Sequence, residues 1–155
     1  MSKAPRVAAL ALALWSLPAV AQTVTASVPP ALATGVVRGY FDALRRQDRR
    51  TLSGVTEGNA AAYTTQMLDR ISDEAQRQDV GVELKVRNLV MYAAPPSEAA
   101  TPVDVRFDIA VVAKKWFFHK VARVLKGHAT FFVGKNVAPG EAPGAKIVNL
   151  RFAFE

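Results

Sequence analysis

Cysteine is absent from all 155 residues, which excludes a disulfide scaffold, a thiolate metal centre and a cysteine nucleophile. Histidine is nearly absent too, with only His119 and His128. Their odd separation puts the two rings on opposite faces of one regular strand, so no metal site is expected. No HExxH helix, P-loop or dinucleotide fingerprint occurs, and none of Ser27, Ser53, Ser72 or Ser97 lies in a Gly-x-Ser-x-Gly elbow. Cofactors and catalytic residues are therefore not assigned. A long apolar run is also missing. The run from Val7 to Leu17 falls short of the roughly 17–25 residues that a membrane span needs.

What that short run does resemble is an export signal. Lys3 and Arg6 precede it, and Pro18 and Ala19-Val20-Ala21 follow it. This charged, apolar, small-x-small order predicts cleavage near Ala21/Gln22 and a secreted or periplasmic product. The expected organisation is a signal over residues 1–21 and a single domain over 22–155. Loss of the leader removes two of the positive charges and leaves +5 of the formal +7. With half its residues hydrophobic and a fifth charged, the chain can bury a core and is not a disordered tail. Export argues against nucleic acid as a partner. An anionic surface or an acidic protein suits the excess charge better.

The periodicity changes once along the chain. Residues 22–28 read as a tail, and Pro29-Pro30 can open a helix. From Ala31 to Gln47, Leu32, Val36, Tyr40 and Leu44 recur at every fourth position, with Val37 and Phe41 beside them, which predicts an amphipathic helix. Gly35 and Gly39 weaken that helix unless they admit close packing. Asp48 is suited to cap a short helix from Arg49 to Val55, and Asn59 to cap a third reaching about Gln78, with Gly81 ending it. Thereafter the period is two. Strands are expected over Val82–Met91, with a bulge at Asn88, over Val103–Val111, from Ala122 through Val133, and over Ala145–Glu155, with a loop at 134–144. Residues 117–126 also fit a ten-residue amphipathic helix, but their strand neighbours favour a strand. Helices followed by antiparallel strands predict an α+β fold, with the helices packed on a curved sheet of about four strands and a pocket between them.

The segment from Val36 to Asp48, with Tyr40, Ala43, Leu44 and Asp48 followed by Leu52, is similar to the first helix of the nuclear transport factor two-like superfamily. Residues 122–133 resemble its long central strand. This resemblance implies a cone-shaped fold, pairing through the sheet into a homodimer, and a pocket that in some members serves ketosteroid isomerase or polyketide cyclase chemistry. It places Tyr40 where the isomerases keep an oxyanion donor. Their carboxylate base belongs in the segment that here runs from Ser53 to Tyr63, where Glu57 is the only acid. A donor without a base cannot move a proton from carbon, so a non-catalytic domain binding a small apolar ligand or a protein partner is favoured over a pocket enzyme. Tyr40, Tyr63, Met67, Phe107 and Trp116 are the candidates to line the pocket. Asp104 and Asp108, flanking Arg106, read as a solvated ladder. Lys114, Lys115, Lys120, Arg123 and Lys126, interleaved with Trp116, Phe117 and Phe118, form a candidate basic surface for anionic lipid or cell-wall polymer.

Overall fold

The computed structural model describes residues 25–136 and 144–154. The leader over 1–21 and the centre of the loop expected at 134–144 lie outside the described residues. Three helices precede the main run of strands. Pro29 caps α1 (Pro30–Arg45), whose buried face is Ala33, Val37, Tyr40, Phe41, Ala43 and Leu44. Of the expected stripe only Leu32, at 50% exposed, falls outside: Val37, Tyr40, Phe41 and Leu44 are buried and Val36 packs against them in part. A Cβ at Gly35 or Gly39 would meet nothing, so close packing does not account for either glycine. Asp48 caps α2 (Arg49–Val55), accepting from the Thr51 amide at 3.1 Å and from its hydroxyl at 2.6 Å. These bonds hold the Asp48 carboxyl below the usual carboxylate range, so the cap is intact at neutral pH and is lost on acidification.

Helix α3 (Gly58–Gln78) departs from expectation at both ends. Asn59 does not cap it and donates instead to Asn149 on the last strand, at 3.0 Å. Asp79, in the left-handed region at φ 53°, terminates it, while Gly81 opens the next strand. Short polar side chains tolerate that conformation.

Five antiparallel strands complete the domain: β1 (Thr25–Ser27), β2 (Gly81–Ala93), β3 (Thr101–Lys115), β4 (Phe118–Asn136) and β5 (Ala145–Phe154). The tail expected at 22–28 thus contains a strand. The reason is that β3 runs out at Thr101, opposite Val133, and β1 continues along the same edge of β4 from Gly134 to Asn136. Thr101 joins the two segments, its side chain accepting from the Val28 amide and donating to the Val28 carbonyl. Residues 118–126 are strand rather than helix. Register shifts lie between Arg87 and Val90, between Val111 and Val112, and between Phe132 and Val133. Each inserts extra backbone on one strand and bends the pair, so the sheet curls into a half-barrel with the helices on its concave side.

That concavity holds an aromatic core. Phe131 lies 5.2 Å from Tyr40, 5.5 Å from Phe41 and 5.9 Å from Phe152, ring centre to ring centre. Phe107 sits between Phe41 and Phe152. Val103, Val105, Ile109, Val133, Ile147 and Leu150 complete the sheet's contribution. The fold is α+β, with three helices packed on a curled antiparallel sheet. No helix among the described residues is long and apolar enough to cross a membrane.

Candidate functional site

Helix α3 is tied to the core at its N-terminal half, where Ala60, Thr64 and Leu68 are buried. Its C-terminal half stands off the sheet and is only partly covered at Ile71 and Ala75. The resulting wedge is a cavity of about 390 Å³, within the size range of small-molecule sites. Leu84 of β2, Ile109 and Val111 of β3 and Leu125 of β4 form its floor, and Met67 and Ile71 of α3 its roof. Leu44 closes the back, with Tyr63 beside it stacked on Phe152 at 5.0 Å. A second hollow shares Arg70, Ile71, Val111, Arg123 and Leu125 with the first, so the groove runs on past Ala113 and Ala122 toward the β3–β4 turn.

Arg70 and Arg123 stand on opposite walls where the two hollows meet. Neither makes an ion pair among the described residues, whereas Arg49, Arg77, Lys114, Lys115 and Lys146 each have a carboxylate. Among the described residues no aspartate or glutamate lines the inner cavity. Glu74, farther out, is engaged by Arg77 and Gln78. An apolar slot with two uncompensated guanidinium groups at its mouth can accept a chain or ring system ending in an anion.

Of the residues expected to line a pocket, Tyr63 and Met67 do. Tyr40 does not: it is fully buried, and its hydroxyl is 2.8 Å from the Thr64 hydroxyl. Since Thr64 donates to the Ala60 carbonyl at 2.8 Å, Tyr40 donates to Thr64. Burial pushes the phenol up to about 12. Phe107 is likewise a core residue, its ring lying over Gly127 of the neighbouring strand. Trp116 is 86% exposed at the β3–β4 turn, because the two strands pair up to Lys115 and Phe118 and leave it in the two-residue connection. Glu57 pairs with Lys146 at 3.3 Å.

The raised Tyr40 value predicts an alkaline limit to stability. Between the phenol's ordinary value of 10 and about 12, the unfolded chain loses this proton and the folded chain keeps it. The contribution is complete below pH 10 and disappears as pH rises toward 12, on the order of 3 kcal/mol in all. Tyr40→Phe should cost about 1 kcal/mol at neutral pH through the lost hydrogen bond. It should also flatten the alkaline fall measured by urea titration, and an unchanged slope would contradict the buried placement.

The basic cluster divides. Lys114 and Lys115 are neutralised by Glu83 at 2.7 Å and Asp79 at 3.4 Å, while Lys120, Arg123 and Lys126 have no ion pair among the described residues. The β4 bulge brings His119 and His128 to the same outer face, opposite Lys114 and Arg106. Nine residues of strand still separate them by roughly 25–30 Å, and no cluster of metal-ligating side chains occurs among the described residues. Asp104 accepts from Thr130 and Asp108 from Asn88, both at 2.7 Å, as members of an outer-face ladder. Sequence reasoning did not single out Arg70. Its spacing of seven from Tyr63 and three from Met67 places it on the edge of the same stripe. Comparison with family models, with curated proteins and with solved structures finds no match for the chain.

Proposed function

We propose that this domain is a non-catalytic carrier or sensor of a small apolar acid, held in the groove between α3 and the concave face of the sheet. The observation that carries the reading is the pairing of an apolar cavity with two guanidinium groups, Arg70 and Arg123, that no carboxylate among the described residues neutralises. Among the described residues the inner lining has no carboxylate base, and Tyr40 spends its proton on Thr64. Both facts favour binding over proton transfer. The order of helices and strands, and the curl of the sheet, support membership of the nuclear transport factor two-like superfamily. The leader motif supports a secreted or periplasmic setting.

Calorimetric titration with dodecanoate and with dodecyltrimethylammonium, each below its micellar concentration, separates the contributions. The anion is expected to bind and the cation of equal chain length to bind at least tenfold more weakly. Arg70→Ala with Arg123→Ala should bring the two together, since loss of charge-assisted contacts costs about 1.5–3 kcal/mol, or roughly 10–150-fold. Met67→Trp, which fills the slot, should abolish binding without lowering the melting temperature by more than a few degrees. Equal affinity for both amphiphiles in the unaltered protein would overturn the reading.

A further inference from the structure

We propose that the turn between β3 and β4 is a membrane-docking element, inserting Trp116, Phe117 and Phe118 into the headgroup region of an anionic bilayer. This inference stands apart from the groove: the tip residues, Lys120 and Lys126 line neither hollow, and Arg123 alone is common to both readings. The three side chains are consecutive and are 86%, 96% and 78% exposed. β2 pairs with β3 only as far as Gly81 opposite Lys114, so the turn projects beyond the neighbouring strand.

A two-residue hairpin turn chosen for stability alone carries glycine or asparagine where φ is positive. Here Trp116 holds that position, at φ 58°, a conformation a bulky residue adopts at a cost. An exposed Trp-Phe-Phe tip thus opposes both backbone preference and hydrophobic burial. Those are the residues that membrane interfaces favour, since aromatic rings settle at headgroup depth.

The charges point the same way. No acidic residue occurs between Asp108 and Glu141. Lys114 and Lys115 are already paired, which leaves Lys120, Arg123 and Lys126 on the outgoing strand without acidic partners among the described residues. These cations also lie where β4 has no second strand partner among the described residues, since β5 reaches only to Gly127. Protection of an open edge accounts for cations there, but not for three exposed aromatics at the tip. Aromatics at the apex with cations behind them match a surface of anionic headgroups over hydrocarbon.

The chain has two tryptophans, so in full-length protein carrying Trp15→Phe the emission comes from Trp116 alone. That protein is titrated with phosphatidylcholine vesicles and with vesicles containing phosphatidylglycerol. The expected result is a blue shift of Trp116 emission, and quenching by shallow brominated lipid, on the anionic vesicles only. Lys120→Ala with Lys126→Ala should weaken the apparent affinity by about 25-fold, at roughly fivefold per cation. Phe117→Ser with Phe118→Ser should abolish the shift while leaving the melting temperature unchanged. Unchanged emission on anionic vesicles, or an equal response to neutral ones, overturns the proposal. A blue shift without lipid that grows with protein concentration also overturns it, by assigning the tip to contact with a second copy of the chain. Because the dodecanoate titration is made without vesicles, failure of either reading leaves the other standing.

Discussion

Replacing Phe131 with alanine is expected to lower the unfolding free energy by about 4 kcal/mol, the range found for buried phenylalanine. The side chain has no exposed surface and meets Tyr40 and Phe41 of α1 and Phe152 of β5. It is therefore the point at which the first helix is fastened to two strands of the sheet. Truncation removes the transfer energy of the ring and leaves a hole that rigid aromatic neighbours cannot collapse to fill. Against a typical total of about 5–15 kcal/mol, that loss should bring the urea midpoint close to the onset of unfolding at room temperature. Phe117→Ala, at the exposed tip, should change stability by less than about 0.5 kcal/mol. Equal effects at the two positions would show that the aromatic core is misassigned.

Gly127→Ala carries the second large penalty. An added Cβ would lie 2.5 Å from Cζ and 2.7 Å from Cε2 of Phe107, far inside van der Waals contact. The Phe107 ring cannot swing aside, because Phe41 at 5.1 Å and Phe152 at 5.7 Å hold it. Phe107 is the cross-strand partner of Gly127, and its ring covers the glycine backbone, a pairing that compensates for the missing side chain. The expected loss is about 3 kcal/mol, at the upper end for overpacking. Phe107→Leu relieves the clash, so the double variant should be more stable than the sum of the single losses by at least about 1 kcal/mol. Strict additivity would mean that the ring does not lie over the glycine.

Much of the architecture was legible because it follows from period. The fourfold recurrence in α1 and α3 and the alternation of Val103, Val105, Phe107 and Ile109 specify amphipathic elements, and the phase slip at Asn88 marks a register shift that the sheet contains. The misassignments arose where a tertiary contact decides. Asn59 has the chemistry of a helix cap, but Asn149 sits within reach and takes its side chain. Thr25–Ser27 has no local reason to be a strand and becomes one because β4 outlasts β3. Tyr40 shares its stripe with pocket-facing Leu44, yet its ring turns into the core and finds Thr64. At Trp116 an aromatic residue read as interior occupies a turn, since nothing in composition tells the end of a hairpin from its middle. The groove was foreseeable only in kind. Arg70 and Arg123 are 53 residues apart in the chain, and only the packing of α3 over the curled sheet sets them on facing walls.

Methyl-resolved nuclear magnetic resonance during titration with dodecanoate tests the groove most directly. Binding between α3 and the sheet should shift the methyl signals of Met67, Ile71, Leu84, Ile109, Val111 and Leu125, while those of Val90, Val121 and Val124, exposed at the edge and on the outer face, stay in place. Shifts confined to the latter, or none at concentrations that saturate the calorimetric signal, would contradict the assignment of this cavity as the ligand site.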